Sequence, residues 1–167
     1  MARSHVRKPQ MSALIIGADH AGYEMKEAIK PVLANLGYKV EDIGPYDENS
    51  VDYPDFGDRV ARAVAAGEFP RGILICGTGI GMSMVANRHP EIRAALCNDL
   101  FSAIMSRRHN DANILVMGGR VIGTALAVEI VRAWTETPFE GGRHADRLEK
   151  FCRCRQAMRP PSETQAL

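Results

Sequence analysis

The sequence predicts an α/β fold, a three-layer Rossmann-like sandwich with a mostly parallel sheet of about five strands and one further helix at the C-terminal end. Two observations carry this. Short apolar runs recur between Gly, Asp or Asn residues without polar alternation, as strands buried on both faces do. Segments with helical spacing of apolar residues separate them, and strands alternating with helices through right-handed crossovers build a parallel sheet.

The first strand is Ala13–Ile16. Met25, Ala28, Ile29, Val32, Leu33 and Leu36 then fall at i, i+3, i+4, i+7, i+8 and i+11, one apolar helix face, which Pro31 is expected to kink and Gly37 to end. Tyr38–Ile43 alternates more and suits a strand nearer an edge. Val60–Ala66 is a short helix before the buried strand Ile73–Cys76, whose glycine-rich continuation Gly77–Ser83 opens another helix. Ala94–Cys97 and Ile114–Met117 are further buried strands, with Phe101–Met105 helical between them. Ala127, Ile130, Val131 and Trp134 mark one more helix face.

After Pro138 and Gly141-Gly142 comes a last helical segment, in which Arg143, Arg147, Lys150, Arg153, Arg155 and Arg159 face only Asp146 and Glu149. A solvated basic face is the simplest reading, while a terminal helix outside a closed α/β unit can also extend to a partner subunit.

With 167 residues the chain has room for one domain. Residues 12–158 are assigned to it, with 1–11 and 159–167 as flexible ends. Hydrophobic residues make up 46% and charged residues 25%, with a net charge of +1, so disorder and a nucleic-acid partner are not indicated. No apolar run approaches the roughly 20 residues of a membrane span, and Met1–Gln10 has no signal-peptide core, so a cytoplasmic location is expected. Cys76, Cys97, Cys152 and Cys154 lack the spacing of a disulfide framework. Cys152-Arg153-Cys154 is at most half a zinc site, without a second pair to complete it.

Ligands of such sheets bind outside the carboxyl ends of the strands. There Cys76 leads into Gly77-Thr78-Gly79-Ile80-Gly81, whose backbone N–H groups suit an anion, either a phosphate or a developing oxyanion. Cys76 beside that turn would have its thiol pKa lowered and could act as a base, the competing reading being a buried apolar cysteine. A dinucleotide site fits poorly, because Met82 stands where the fingerprint wants its third glycine and the strand is internal. Asp19 and His20 follow the first strand into the same crevice, although Asp19 also suits a helix cap. His109-Asn110-Asp111 ends a helix, where Asn110 could merely terminate it, and supplies an imidazole, the side-chain type suited to general acid–base proton transfer. Arg143 and Arg147, four apart, put two guanidiniums side by side for a phosphate, and Arg120 could add a third cation from the sheet edge.

These residues resemble ribose-5-phosphate isomerase type B, in the family that also contains galactose-6-phosphate and allose-6-phosphate isomerases. The resemblance spans roughly residues 12 to 155 through five ordered motifs: Gly-Ala-Asp-His-Ala-Gly (17–22), Asp-Tyr-Pro (52–54), Cys-Gly-Thr-Gly-Ile-Gly (76–81), His-Asn-Asp (109–111) and Gly-Gly-Arg-His (141–144). It implies that Cys76 moves a proton between C1 and C2, that amides of the Gly77, Gly79 and Gly81 loop hold the enediolate, and that Thr78 and His109 assist ring opening. Asp19 and Asn110 would then hold sugar hydroxyls and Tyr53 would line the site. His20, Arg120, Arg143 and Arg147 would grip the phosphate, with His144 beside them.

The resemblance further implies a homodimer with shared sites, with tetramers known in the family, and no cofactor or metal. Consistent with this, the sequence offers no obvious two-histidine-plus-carboxylate cluster. One branch of the family has a glutamate base where this chain has Met82, and Cys76 places the chain in the other. Ribose 5-phosphate is the expected substrate, ahead of a six-carbon sugar phosphate or a binding protein without turnover.

Overall fold

The computed structural model describes residues 12–157. Alternate residues of its central strands divide between two apolar layers. Leu14, Ile16, Ile73, Ile75, Leu115 and Met117 enter one core, while Ile15, Leu74, Cys76, Ile114 and Val116 enter the other. Because both faces are apolar, the polar alternation of a half-exposed strand disappears, which is why these segments read as unbroken hydrophobic runs.

The chain order is β1 (Ser12–Ala18), α1 (Tyr23–Asn35), β2 (Tyr38–Asp42), α2 (Tyr53–Ala65), β3 (Gly72–Cys76), α3 (Ile80–Ala86), β4 (Ala94–Leu96), α4 (Leu100–Arg108), β5 (Ile114–Gly118), α5 (Thr124–Glu136) and α6 (Arg143–Ala157). The five strands are parallel in the order β2-β1-β3-β5-β4. Helices α1, α4 and α5 pack together on one face and α2 with α3 on the other, completing the three layers. The first core closes around Met25, Ile29 and Leu33 of α1 with Ile130, Val131 and Trp134 of α5, the second around Val60, Val64 and Met82. No helix among the described residues is long and apolar enough to cross a membrane.

From β1 the chain winds toward β2, and from β3 it winds the other way, toward β4. Their carboxyl ends therefore flank the switch point at which open α/β sheets form a ligand crevice.

Several local expectations shift. β4 is half-buried rather than buried, because it lies at the sheet edge opposite β2. α1 runs continuously through Pro31. α2 begins at Tyr53, about two turns before the apolar pattern at Val60, with Asp52 as N-cap and proline in its first turn, a position where no amide bond is lost. Residues 1–11 and 159–167, and the side chains of Cys152 and Cys154, lie outside what is described.

Lys26 is the most deeply buried charged side chain among the described residues. It is fully buried, and its Nζ donates to both carboxylate oxygens of Asp42 at 2.8 and 2.6 Å, with Glu27 at 2.9 Å. Asp42 also accepts from Lys30 and from the Gly44 N–H, so the end of β2 is fastened to α1.

Candidate functional site

Three strand-end loops meet backbone to backbone at the switch point. The Asp19 N–H donates to the Ile75 carbonyl at 3.0 Å, and the Gly119 and Arg120 N–H groups donate to the carbonyls of Cys76 and Gly77 at 2.8 and 3.0 Å. A Cβ on Gly22 would lie 2.5 Å from the Ile75 oxygen, and one on Gly119 would lie 2.5 Å from the Ala21 oxygen. Only glycine permits this approach, which gathers Asp19, His20, Cys76 and Arg120 around one crevice.

Cys76 closes β3 as a buried residue, 4% exposed, and the Gly79 N–H donates to its sulfur at 3.2 Å. Gly79 holds φ of +79°, and a Cβ there would press on Leu96 and the Met117 backbone. Thr78 is exposed at the loop tip, its hydroxyl accepting from the Ile80 N–H. The Tyr53 ring lies over Gly81, at 2.6 Å from where a Cβ would stand. Arg120 passes 3.7 Å from the Cβ position of Gly77. His20 Nδ1 accepts from the Val51 N–H at 3.4 Å. Asp19, 6% exposed, accepts from the Gly22 N–H through its carboxylate, a bond within the turn before α1, whose N-cap is Gly22 rather than Asp19. Met82 is fully buried in the core.

Cys97 is the other described thiol. Burial pushes it up to about 11, which the Ser106 hydrogen bond only partly opposes and Asp99 reinforces. Cys97 is therefore a poor base at neutral pH.

A second group assembles where α4 ends. His109 caps that helix, and its ring stacks on that of His144 with centroids 4.1 Å apart and planes 6° from parallel. Gly141 and Gly142, with φ of +64° and +54°, turn the chain so that α6 starts with His144 against His109. The Glu140 N–H donates to the Arg108 carbonyl, and Glu140 Oε2 lies 3.9 Å from His109 Nε2 and 3.7 Å from His144 Nε2. Burial holds His144 below the ordinary histidine range, and His109, Arg143 and Arg147 act in the same direction against the opposing pull of Glu140. Arg143, Arg147 and Asn110 are exposed beside this cluster. Asp111, at φ of 43°, is the left-handed residue of the turn, and its carboxylate binds Arg93 and Arg107. The Asp of His-Asn-Asp thus has a structural role.

The expectation of no two-histidine-plus-carboxylate cluster is overturned by His109, Glu140 and His144, whose ligand atoms lie within 4.8 Å of one another. Glu140 is hidden in the sequence because Gly141-Gly142 reads as a break. The available signal was its spacing of four residues from His144.

The two groups lie at opposite ends of the sheet. Asn113 accepts from the Gly72 N–H at the start of β3, whereas Cys76 pairs with Gly118 at its finish. A five-residue strand spans roughly 15 Å at about 3.3 Å per residue. One chain therefore keeps the thiol apart from His109, Asn110, Arg143 and Arg147. A cavity of about 420 Å³ beside Asn110, between Ile92 and Phe151, includes neither Cys76 nor the glycine loop in its walls.

Comparison with known proteins decides the relationship. A family model described as ribose/galactose isomerase matches residues 14–151. The chain belongs to this isomerase family. It is 46% identical to ribose-5-phosphate isomerase B of Escherichia coli over 139 residues, covering 83% of this chain and 93% of that protein. It is 45% identical to D-erythrulose-4-phosphate isomerase of Pectobacterium atrosepticum, covering 84% and 93%. The structure of ribose-5-phosphate isomerase B from Clostridium thermocellum superposes with a TM-score of 0.85 at 50% identity, covering 88% of this chain and 99% of that one.

Membership of the ribose/galactose isomerase family makes the chain an aldose–ketose isomerase acting on sugar phosphates. The crevice at the switch point holds Asp19, His20, Tyr53, Cys76, Thr78, Gly77, Gly79, Gly81 and Arg120, while His109, Asn110, Arg143, His144 and Arg147 form the remote group.

Proposed function

We propose that this isomerase interconverts ribose 5-phosphate and ribulose 5-phosphate, with Cys76 as the base. The reading rests above all on the Cys76 sulfur facing the Gly79 N–H at the mouth of a glycine loop on the sheet's switch point. That sulfur is the atom that would take the proton, and the loop amides stand beside it where the developing oxyanion would lie.

The sugar ring opens first, with Thr78 and His109 exchanging protons with the ring oxygen and the O1 hydroxyl. The thiolate then removes the C2 proton, the C2 electrons close a C1=C2 bond and the carbonyl oxygen O1 takes up the negative charge. Amides of the 77–81 loop stabilise that charge. The proton returns from sulfur to C1, the O2 proton moves to O1, and C2 becomes the ketone. Asp19 and Asn110 hold hydroxyls, Tyr53 walls the site, and His20, Arg120, Arg143 and Arg147 bind the phosphate near His144.

The separation of the two groups supports a homodimer in which a second copy brings His109, Asn110, Arg143 and Arg147 to the crevice, since a two-fold interface repeats any such exchange in both directions.

A different chain length is the second reading, favoured by the relative that acts on D-erythrulose 4-phosphate. Initial rates with ribose 5-phosphate, D-erythrulose 4-phosphate, allose 6-phosphate and galactose 6-phosphate separate these. The highest kcat/KM is expected for ribose 5-phosphate. A clear preference for another sugar overturns the substrate and keeps the mechanism, and no turnover of any leaves a binding protein.

A further inference from the structure

The cluster of His109, Glu140 and His144 has a second chemical capacity that sugar isomerisation does not use. Two imidazoles and a carboxylate are the donor set of zinc sites that keep a fourth position open. Tetrahedral zinc, with bonds of about 2.0–2.1 Å, needs its ligand atoms about 3.3–3.4 Å apart. Glu140 Oε2 stands 3.7 and 3.9 Å from the two Nε2 atoms, within a few tenths of an ångström of that spacing, and all three ligand atoms lie within 4.8 Å of one another. The imidazoles, stacked 6° from parallel, have to turn out of that stack for both lone pairs to meet one ion.

The surroundings hold the carboxylate toward the imidazoles. The Glu140 N–H is anchored on the Arg108 carbonyl and its Oε1 faces Arg108 Nε at 3.5 Å, which leaves Oε2 for the imidazoles. Outer contacts of this kind orient ligands and raise metal affinity. His144 is buried at 6% side-chain exposure, while His109 and Glu140, at 39% and 45%, leave an entry path from solvent. Arg143 and Arg147 lie nearby and oppose a cation, so the carboxylate is the ligand on which affinity depends most.

The geometry points to a binding site for a late divalent transition metal, Zn²⁺ foremost, at His109, Glu140 and His144, and to inhibition of the isomerase by the ion held there. Nitrogen and oxygen donors select Zn²⁺, Cu²⁺, Ni²⁺ and Co²⁺ over Mg²⁺ and Ca²⁺. The inhibitory part rests on the role proposed for His109, because an imidazole lone pair committed to metal cannot exchange a proton with the sugar.

The full-length protein is titrated with Co²⁺, read by its visible ligand-field bands, and with Zn²⁺ by competition against a chromophoric chelator, for the wild type, Glu140→Gln, Glu140→Ala and His109→Asn. Affinity is expected to fall on the order of tenfold or more in each variant. Equal isotherms in all four proteins overturn the site, as does sulfur-to-cobalt charge transfer, which would place the ion on a thiolate. These readouts need no turnover, so they decide the site even if the isomerase reading fails. Ribose 5-phosphate turnover should be inhibited by Zn²⁺ in the wild type, recover with a chelator, and need about tenfold more Zn²⁺ in Glu140→Gln. Loss of binding with unchanged inhibition overturns the inhibitory assignment.

Discussion

The Gly79 N–H meets the Cys76 sulfur across 3.2 Å, inside a loop whose conformation depends on a left-handed glycine at that same position. The contact joins the candidate base to the candidate oxyanion loop, so a change at either residue disturbs both.

Cys76→Ala removes the proton-carrying group and leaves the phosphate contacts. Turnover of ribose 5-phosphate should drop by about 10²–10⁴-fold in kcat, the usual worth of a positioned proton-transfer group. Substrate affinity, measured by calorimetry, should stay within a few-fold. Turnover close to wild type would remove Cys76 from the mechanism.

Gly81 and Tyr53 are coupled by contact. A methyl at Gly81 would stand 2.6 Å from the Tyr53 ring, which is 38% exposed and free to swing away. Gly81→Ala should therefore fold normally and lose kcat/KM, on the order of 10²-fold if the displaced ring shifts the sugar by about 1 Å. The double variant with Tyr53→Ala should be no worse than Tyr53→Ala alone, the non-additivity of touching residues. Additive losses would mean that Gly81→Ala does not act through the Tyr53 ring.

The sheet was legible because its core is apolar on both faces. Runs such as Ile73–Cys76 and Ile114–Met117 have the length of strands rather than helices, and Tyr38–Ile43 shows its edge position by alternating. β4 differs from its sequence reading because Ala94-Ala95-Leu96 looks like a central strand, and only the crossover from β3 past β5 places it at the edge. The start of α2 was hidden, since Tyr53, Asp55 and Arg59 face outward and add nothing to the apolar period. Within the site, Asp19, His20, Cys76 and Arg120 were recoverable from the rule that ligands lie beyond strand ends. The pairing of His109 with His144 was not. It depends on two left-handed glycines folding α6 back onto the end of α4, a tertiary contact with no periodic signature.

Asp42 tests the buried charge at Lys26. Burial alone would raise its carboxyl, but hydrogen bonds from Lys26, Lys30 and Gly44 and the Lys26 charge hold it below the ordinary carboxylate range. A lowered folded pKa stabilises the fold above the unfolded value, near pH 4, and that stability is lost as pH falls through the folded value. Asp42→Asn should cost about 3 kcal/mol at pH 7 in urea unfolding, because Lys26 stays buried with only Glu27 beside it. The difference from wild type should shrink below about pH 4. A difference constant down to pH 2.5 would mean that the ion pair contributes no pH dependence.

His109 and Cys76 occupy opposite ends of the sheet, so two inactive proteins should repair one another if the site is shared. Cys76→Ala retains its histidine and His109→Asn retains its thiol. When the two are unfolded together and refolded as an equal mixture, half of the dimers are mixed, and each of these has one complete crevice and one doubly defective crevice. About a quarter of wild-type activity should return, although each variant refolded alone stays near its own low level. Recovery requires the thiol and the histidine to act from different chains. A mixture no more active than the average of its components would confine catalysis to a single chain, and the roughly 15 Å between the groups would then exclude His109 from ring opening.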